Sequence, residues 1–341
     1  MRNVGAKAND KYMTAQYGSA SFSPRPTKIA VIGAGSVGSS VAYAAMLRGS
    51  AQMIALYDLS AEKAEAEALD IAHGSQFSSG ATVIGGGDIS CIAGADVVVI
   101  TAGARQKPGQ SRLDLAGTNV KILGSLMPQL LEQAPEAMFM LVTNPCDVLT
   151  VAAQQITGLD TSRVFSSGTV LDSSRLKFLI SKKIGVNPLS VHARIMGEHG
   201  DSEFAVWSNA NIGGIPLREW KNSDGFLAFT EADLDAVRDE VANSAYSIIQ
   251  GKGATNLGIG VSAARICEAI LNDEKAVLTV STVLDDYRGV SGVAMSVPSV
   301  VGRNGVECVL DIPLDERETQ QFRASAGQLS ATQEKLGLEL E

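Results

Sequence analysis

Lys28-Ile29-Ala30-Val31-Ile32-Gly33-Ala34-Gly35-Ser36-Val37-Gly38 opens as an apolar run and breaks into three spaced glycines, followed by a small-residue helix and a second apolar run, Met53-Ile54-Ala55-Leu56-Tyr57, that ends on Asp58. The spacing is that of a strand, a phosphate-cradling turn and a helix: Gly33 allows the tight turn, Gly35 leaves bare backbone beside a pyrophosphate, and Gly38 lets helix and strand pack closely. Val37 sits inside the turn, and the helix N-terminus supplies free N–H groups and a positive dipole. Asp58 falls 20 positions past Gly38, where a carboxylate can accept both ribose hydroxyls and repel a 2′-phosphate. The stretch therefore predicts a dinucleotide site that prefers NAD to NADP; the competing reading is a glycine-bearing turn without a ligand.

The run is one unit of an alternation. Strand-like segments at 28–33, 52–58, 81–85, 95–101, 137–143 and 163–166 are separated by helical periodicity at 36–48, 61–77, 113–133 and 147–157. Asp96-Val97-Val98-Val99-Ile100 is apolar without alternation, as expected of a strand covered on both faces. The fold class is α/β, a doubly wound parallel sheet of the Rossmann type. From about Thr169 the pattern changes to a long helix through Ile184, a β-like stretch at 191–195, helices at 231–252 and 257–271, short β-branched segments at 276–283, 291–297 and 305–310, and an amphipathic helix from Asp315 to about Leu338. This divides the chain into an N-terminal tail at 1–26 expected to be disordered, a cofactor domain at 27–168 and an α+β substrate domain at 169–341.

The 341 residues are 45% hydrophobic and carry a net charge of -9 with scattered Lys and Arg, which disfavours a nucleic-acid surface or a polybasic membrane contact. No 18-residue apolar stretch predicts a membrane span, and the tail lacks the apolar core of a signal peptide. Cys91, Cys146, Cys267 and Cys308 form no metal-ligand spacing with the three histidines, so reduced thiols in the cytoplasm and no structural metal are expected.

In open parallel sheets ligands sit outside the carboxyl ends of the strands. The loops after Ile100 and Val142 should therefore face the cofactor, the first of them through Thr101, Ala102 and Gly103. The segment Thr101 to Arg112 is long, polar and glycine-punctuated, with Arg105 and Arg112, and reads as a lid. A dehydrogenase also needs a proton-exchanging group and a substrate anchor. His199, in Ile195-Met196-Gly197-Glu198-His199-Gly200-Asp201, lies in a glycine-flanked loop that can reach a cleft. His73 stands at a helix end, and His192 reads as structural or regulatory. Asp172 could fix the tautomer of an imidazole and Arg175 could grip a carboxylate in two-pronged fashion. Three positions apart on one helix, they could equally form a plain intrahelical pair, which the residues alone favour.

Gly33 to Gly38, Gln106 to Leu115, Thr143-Asn144-Pro145, Gly168 to Arg175 and Ile195 to Ser202 occur in the order of the L-lactate and malate dehydrogenase family, and the chain from about Lys28 onward resembles its bacterial L-lactate dehydrogenases. The resemblance implies that His199 is proton donor and acceptor, Asp172 its orienting partner, Arg175 the carboxylate anchor and Arg112 the lid residue that polarises the substrate carbonyl. It also implies that Asn144 lies near nicotinamide and substrate, that a cis peptide precedes Pro145, and that Arg105 approaches the cofactor phosphates. Malate enzymes of the family carry arginine where this chain has Gln106; a neutral glutamine offers a dicarboxylate no countercharge, and with Thr255 in the pocket pyruvate is favoured over oxaloacetate.

By the same resemblance NADH binds first, the lid closes, and hydride transfer to pyruvate accompanies proton donation by His199, giving L-lactate in glycolysis and pyruvate fermentation. A homo-oligomer, usually a tetramer, is implied, with the helix at 61–77 on a two-fold interface. Some bacterial members respond to fructose 1,6-bisphosphate through a basic residue and a histidine; here these would be Lys177, where arginine is typical, and His192. Rival readings are a malate or other 2-hydroxyacid dehydrogenase, a non-catalytic NAD sensor, and an NAD-dependent glycosidase, whose metal-binding cysteine and histidine the scattered cysteines do not suggest.

Overall fold

The computed structural model describes residues 25–104 and 111–338. Elements run β1 (Lys28–Ile32), α1 (Ser36–Arg48), β2 (Met53–Tyr57), α2 (Ala61–Gly74), β3 (Thr82–Gly86), β4 (Val97–Ile100), α3 (Arg112–Gln133), β5 (Met138–Leu141), α4 (Cys146–Thr157), β6 (Val164–Ser166) and α5 (Val170–Ile184). Then follow β7 (Val191–His192), β8 (Ile195–Met196), β9 (Phe204–Ala205), β10 (Asn211–Ile212), β11 (Ile215–Pro216), α6 (Glu231–Lys252), α7 (Leu257–Leu271), β12 (Ala276–Leu278), β13 (Ser281–Val283), β14 (Ala294–Ser296), β15 (Ser299–Gly302), β16 (Gly305–Val309) and α8 (Glu316–Leu336).

β1 to β6 pair in parallel in the order β3-β2-β1-β4-β5-β6, so the strand order reverses between β1 and β4 and opens a crevice at their carboxyl ends. The four residues of β4 are completely buried, as their unbroken β-branched run requires. One core lies between the sheet and α1, α2 and α7, the other between the sheet and α3 and α4. The same sheet continues past the expected boundary at Gly168: β13 pairs antiparallel with β6, and β14 with β13. Those strands read from sequence only as short β-branched segments, because nothing local says that a strand will return to a distant edge.

α7 also crosses back onto the first half. Its Gly260 packs so closely on α1 that a Cβ there would stand 2.6 Å from the Ser40 carbonyl oxygen. At the far end of the same contact Glu268 takes both prongs of Arg48 at 2.6 and 2.7 Å and the Ser50 hydroxyl at 2.9 Å. This holds Thr255, just ahead of α7, over the crevice. The β-like stretch at 191–195 divides into β7 and β8, which belong to different small sheets. Residues 1–24 of the expected tail lie outside the described residues; Arg25 pairs with Asp96 at 2.6 Å beside the start of β1. Among the described residues no helix is long and apolar enough to cross a membrane.

Candidate active site

The glycine turn has the geometry that its spacing asks for. Gly33 adopts φ 101°, and a Cβ there would stand 2.9 Å from the Ala102 nitrogen. A Cβ on Gly38 would fall 1.8 Å from the Gly33 carbonyl oxygen, so helix and turn meet only through glycine. At Gly35 the same test meets nothing within 4 Å, and Gly35 caps α1 without any side chain on its N–H groups. Open space over a bare helix N-terminus suits a pyrophosphate. Asp58 lies at the carboxyl end of β2, where Oδ2 accepts from the Ala34 N–H at 2.8 Å and Oδ1 from the Ser60 N–H at 3.0 Å. Thr101 donates to the Ile32 and Gly33 carbonyls, locking the end of β4 to the turn. A groove of about 1060 Å³ runs from Asp58 past Val37, Thr101, Ala102 and Gly103 to Asn144 and Thr255. These residues fit a dinucleotide.

Beyond Asn144 the groove passes into a second cleft of about 530 Å³, lined by Asn144, Asp172, Arg175, His199, Glu203 and Thr255 among others. Asp172 sits in the first turn of α5, 2% exposed, and its two oxygens do different work. Oδ1 accepts from Arg175 Nη1 at 2.6 Å, and Oδ2 meets His199 Nδ1 at 2.7 Å. The intrahelical pair and the imidazole partner, alternatives in the sequence, therefore coexist on one carboxylate. Burial works against the charged form of His199, but Asp172 outweighs it by charge and hydrogen bond, aided by Asp147 and Glu203, and the imidazole is held protonated up to about 9. Burial also opposes the Asp172 charge, yet His199 and Arg175 keep its carboxyl below the usual range.

His199 is carried in the loop of the β8–β9 hairpin, and several distant elements fix that loop. The His199 N–H donates to Asp147 Oδ2 of α4 at 2.7 Å; burial pushes the Asp147 carboxyl up to about 6. Gly197, at φ 96°, exchanges backbone hydrogen bonds with Ser296 of β14 at 3.0 and 2.9 Å. Ser325 of α8 accepts from the Glu198 N–H at 2.8 Å, and its hydroxyl pairs with Ser202 at 2.9 Å. The hairpin is tied to α5 as well, through Thr169 Oγ1 to the Ile195 carbonyl at 2.7 Å and the Ile195 N–H to Ser173 Oγ at 3.0 Å.

Past the end of β4, Asn119 of α3, 1% exposed, accepts from the Ala104 N–H at 2.7 Å and donates to the Asn144 carbonyl at 2.9 Å. The Asn144–Pro145 peptide is cis. Arg105 and Gln106 lie outside the described residues, as does the side chain of Arg112, whose backbone opens α3 behind the Ser111 cap. Asp147, Ser325 and Asn119 escaped the sequence reading because their partners lie from 15 to more than a hundred positions away; Asp147, two positions past Asn144-Pro145, and Glu203, the residue after the stretch Ile195 to Ser202, were signalled only by being acids beside motifs already singled out.

Residues 27–166 match the NAD-binding domain of lactate/malate dehydrogenases, and residues 169–339 match the α/β C-terminal domain of the same enzymes. The chain belongs to the lactate/malate dehydrogenase family. It is 49% identical to the L-lactate dehydrogenase of Bifidobacterium animalis subsp. lactis over 92% of this chain and 98% of that one, and 47% identical to the L-lactate dehydrogenase of Thermoanaerobacterium saccharolyticum over 88% and 96%. Among solved structures, the minor L-lactate dehydrogenase of Enterococcus mundtii superposes with a TM-score of 0.86 at 40% identity, covering 92% of this chain and 99% of that one. A lactate dehydrogenase from a Medee basin deep-sea metagenome does so at 0.87 and 36%, covering 91% and 99%. As in the rest of the lactate/malate dehydrogenase family, the first half of this chain is an NAD-binding domain.

Proposed function

We propose that this protein is an NAD-dependent oxidoreductase that interconverts pyruvate and L-lactate, with residues 27–168 holding the cofactor and 169–341 the substrate. The observation that carries the reading is the convergence of His199, Asp172 and Arg175 on a cleft that opens, at Asn144 and Thr255, into the groove beneath the glycine turn.

Gly33, Gly35, Val37 and Gly38 would hold the pyrophosphate with Arg105, Asp58 the adenosine ribose, and Thr101, Ala102, Gly103 and Asn144 the nicotinamide end. NADH, when bound, supplies the hydride. Arg175 spends one Nη on Asp172 and keeps its remaining donors for the keto acid carboxylate. Arg112, arriving with the lid, polarises the carbonyl as water leaves. His199, already protonated at neutral pH, gives the carbonyl oxygen its proton; lactate oxidation requires the neutral imidazole and so gains at alkaline pH. Gln106 sets the preference for a methyl over a second carboxylate. NADH oxidation with pyruvate and oxaloacetate side by side tests this: faster turnover of oxaloacetate overturns the pyruvate assignment, and Gln106→Arg should move the ratio of kcat/KM toward oxaloacetate.

The proposal extends to a cytoplasmic homotetramer acting at the pyruvate end of glycolysis in fermentation. All four cysteines are free thiols, and Leu69 on α2, with Phe77 just past its end, exposes apolar surface where a two-fold partner is expected. Activation by fructose 1,6-bisphosphate at Lys177 and exposed His192 is supported by Arg194: burial and the nearby Arg194 charge lower the Lys177 ammonium, and among the described residues neither cation has an acidic partner. Titration with the bisphosphate, read by pyruvate KM and by sedimentation, checks both; no change in either removes that site.

A further inference from the structure

Glu203 closes the β8–β9 loop four positions after His199 and lines the substrate cleft. One carboxylate oxygen of Glu203, one of Asp172 and a nitrogen of His199 all lie within 4.8 Å of one another. Its Oε1 is buried and has no hydrogen-bond partner among the described residues. The mechanism above gives it no task. An unpaired carboxyl is costly to bury in its charged form, so an acid in this place needs a reason.

We propose that Glu203 is a proton-dependent specificity residue of the substrate cleft: neutral, it admits an anionic keto acid to Arg175, and ionised, it repels that anion while holding the proton on His199. The inference rests on the assignment of the cleft to pyruvate. From α5 Glu203 faces the Asp172–Arg175 ion pair; Glu198, Asp201 and His199 of its own loop, Tyr246 of α6 and Lys335 of α8 line the same cleft. With His199 protonated, Arg175 and His199 together carry one positive charge more than Asp172 neutralises; a monoanionic substrate takes up that charge, and a further negative charge beside it opposes entry through a drying, low-dielectric cleft. Burial, followed by the Asp172 charge, pushes the Glu203 carboxyl up to about 8, so it is neutral at physiological pH and ionises on the alkaline side. The two effects of ionisation fall on different kinetic constants: repulsion on KM, retention of the imidazolium on the alkaline limb of kcat.

The experiment compares the full-length enzyme with Glu203→Gln, nearly isosteric and unable to ionise, and Glu203→Asp, which can. Steady-state KM and kcat for pyruvate at saturating NADH are measured from about pH 6.5 to about pH 9.5. The ratio of wild-type KM to Glu203→Gln KM should climb about tenfold across that range, the size of one unit of pKa coupling, while the alkaline limb of kcat moves to lower pH in the glutamine variant. Glu203→Asp should retain a rising KM. A KM ratio that stays constant with pH, or a kcat limb that does not move, overturns the role of Glu203. Absence of pyruvate reduction by the wild-type enzyme at the acid end would instead overturn the function on which it rests.

Discussion

Two glycine-opened loops border the groove and the cleft of this protein, and they are held in different ways. The turn at Gly33–Gly38 owes most of its shape to its own backbone, with positive φ at Gly33, a contact at Gly38 that leaves no room for a Cβ and clear space above Gly35, and only Asp58 and Thr101 tie it to the neighbouring strand ends. The loop at Gly197–Glu203 also starts on a glycine with positive φ, but it keeps its shape through Asp147 of α4, Asp172 of α5, Ser296 of β14 and Ser325 of α8. The cofactor end of the site is thus largely a local structure and the His199 end an assembled one. A local turn tolerates distant change and fails by substitution of its own residues, whereas an assembled loop can be detuned from many places.

The contrast is testable first at its chemical centre. His199→Asn should lower kcat by about 10³ or more, the scale of a lost general acid, with NADH binding, followed by its fluorescence, nearly intact; loss of both together would show that the two loops are not separable. The same substitution should change stability against pH. The folded-state value of His199, about 9, lies above its ordinary 6.5, so the stability from the pair with Asp172 is complete below about pH 6.5 and disappears as pH rises through about 9. Chemical denaturation of wild type across that window should show a steeper decline, continuing to about pH 9, than the asparagine variant, which keeps the loss of stability that comes from ionising Glu203.

Within the local turn, two alanines should part company. Gly38→Ala forces overlap with the Gly33 carbonyl and should cost about 3 kcal/mol or more in stability. Gly35→Ala meets no protein atom, so it should leave the melting temperature within about 2 °C of wild type while weakening NADH by about tenfold or more through the pyrophosphate. Equal effects of the two on folding would end the distinction drawn between them. The smallest effect belongs to the assembled loop: Ser325→Ala removes the acceptor of the Glu198 N–H and should lower kcat/KM for pyruvate about five-fold, on the scale of one hydrogen bond, with NADH affinity unmoved.

The layout of the parallel sheet was legible because most of its strands are continuous apolar runs set between helical segments; α1, α6 and α7 fall at 36–48, 231–252 and 257–271 as read. The antiparallel extension by β13 and β14 and the small strands β9, β10, β11 and β15 were not, since two to four residues carry too little pattern and their partners are remote. At the site, residue types and order pointed to His199, Asp172 and Arg175, yet spacing alone could not choose between a helical Asp172–Arg175 pair and a carboxylate serving an imidazole.

Backbone conformation and hydrophobic period are properties of neighbouring residues, so the chain order alone sufficed for the glycine turn, the acid at Asp58 and the alternation that builds the sheet. Proton affinity is different. That His199 stays charged near neutral pH, that Asp147 and Glu203 are lifted to about 6 and about 8, and that Asn119 ties Ala104 to Asn144 all follow from burial and from groups brought within a few ångströms by folding. Electrostatic energy depends on distance and local dielectric, and both come into being only when α4, α5, α8 and the hairpin close around one cleft.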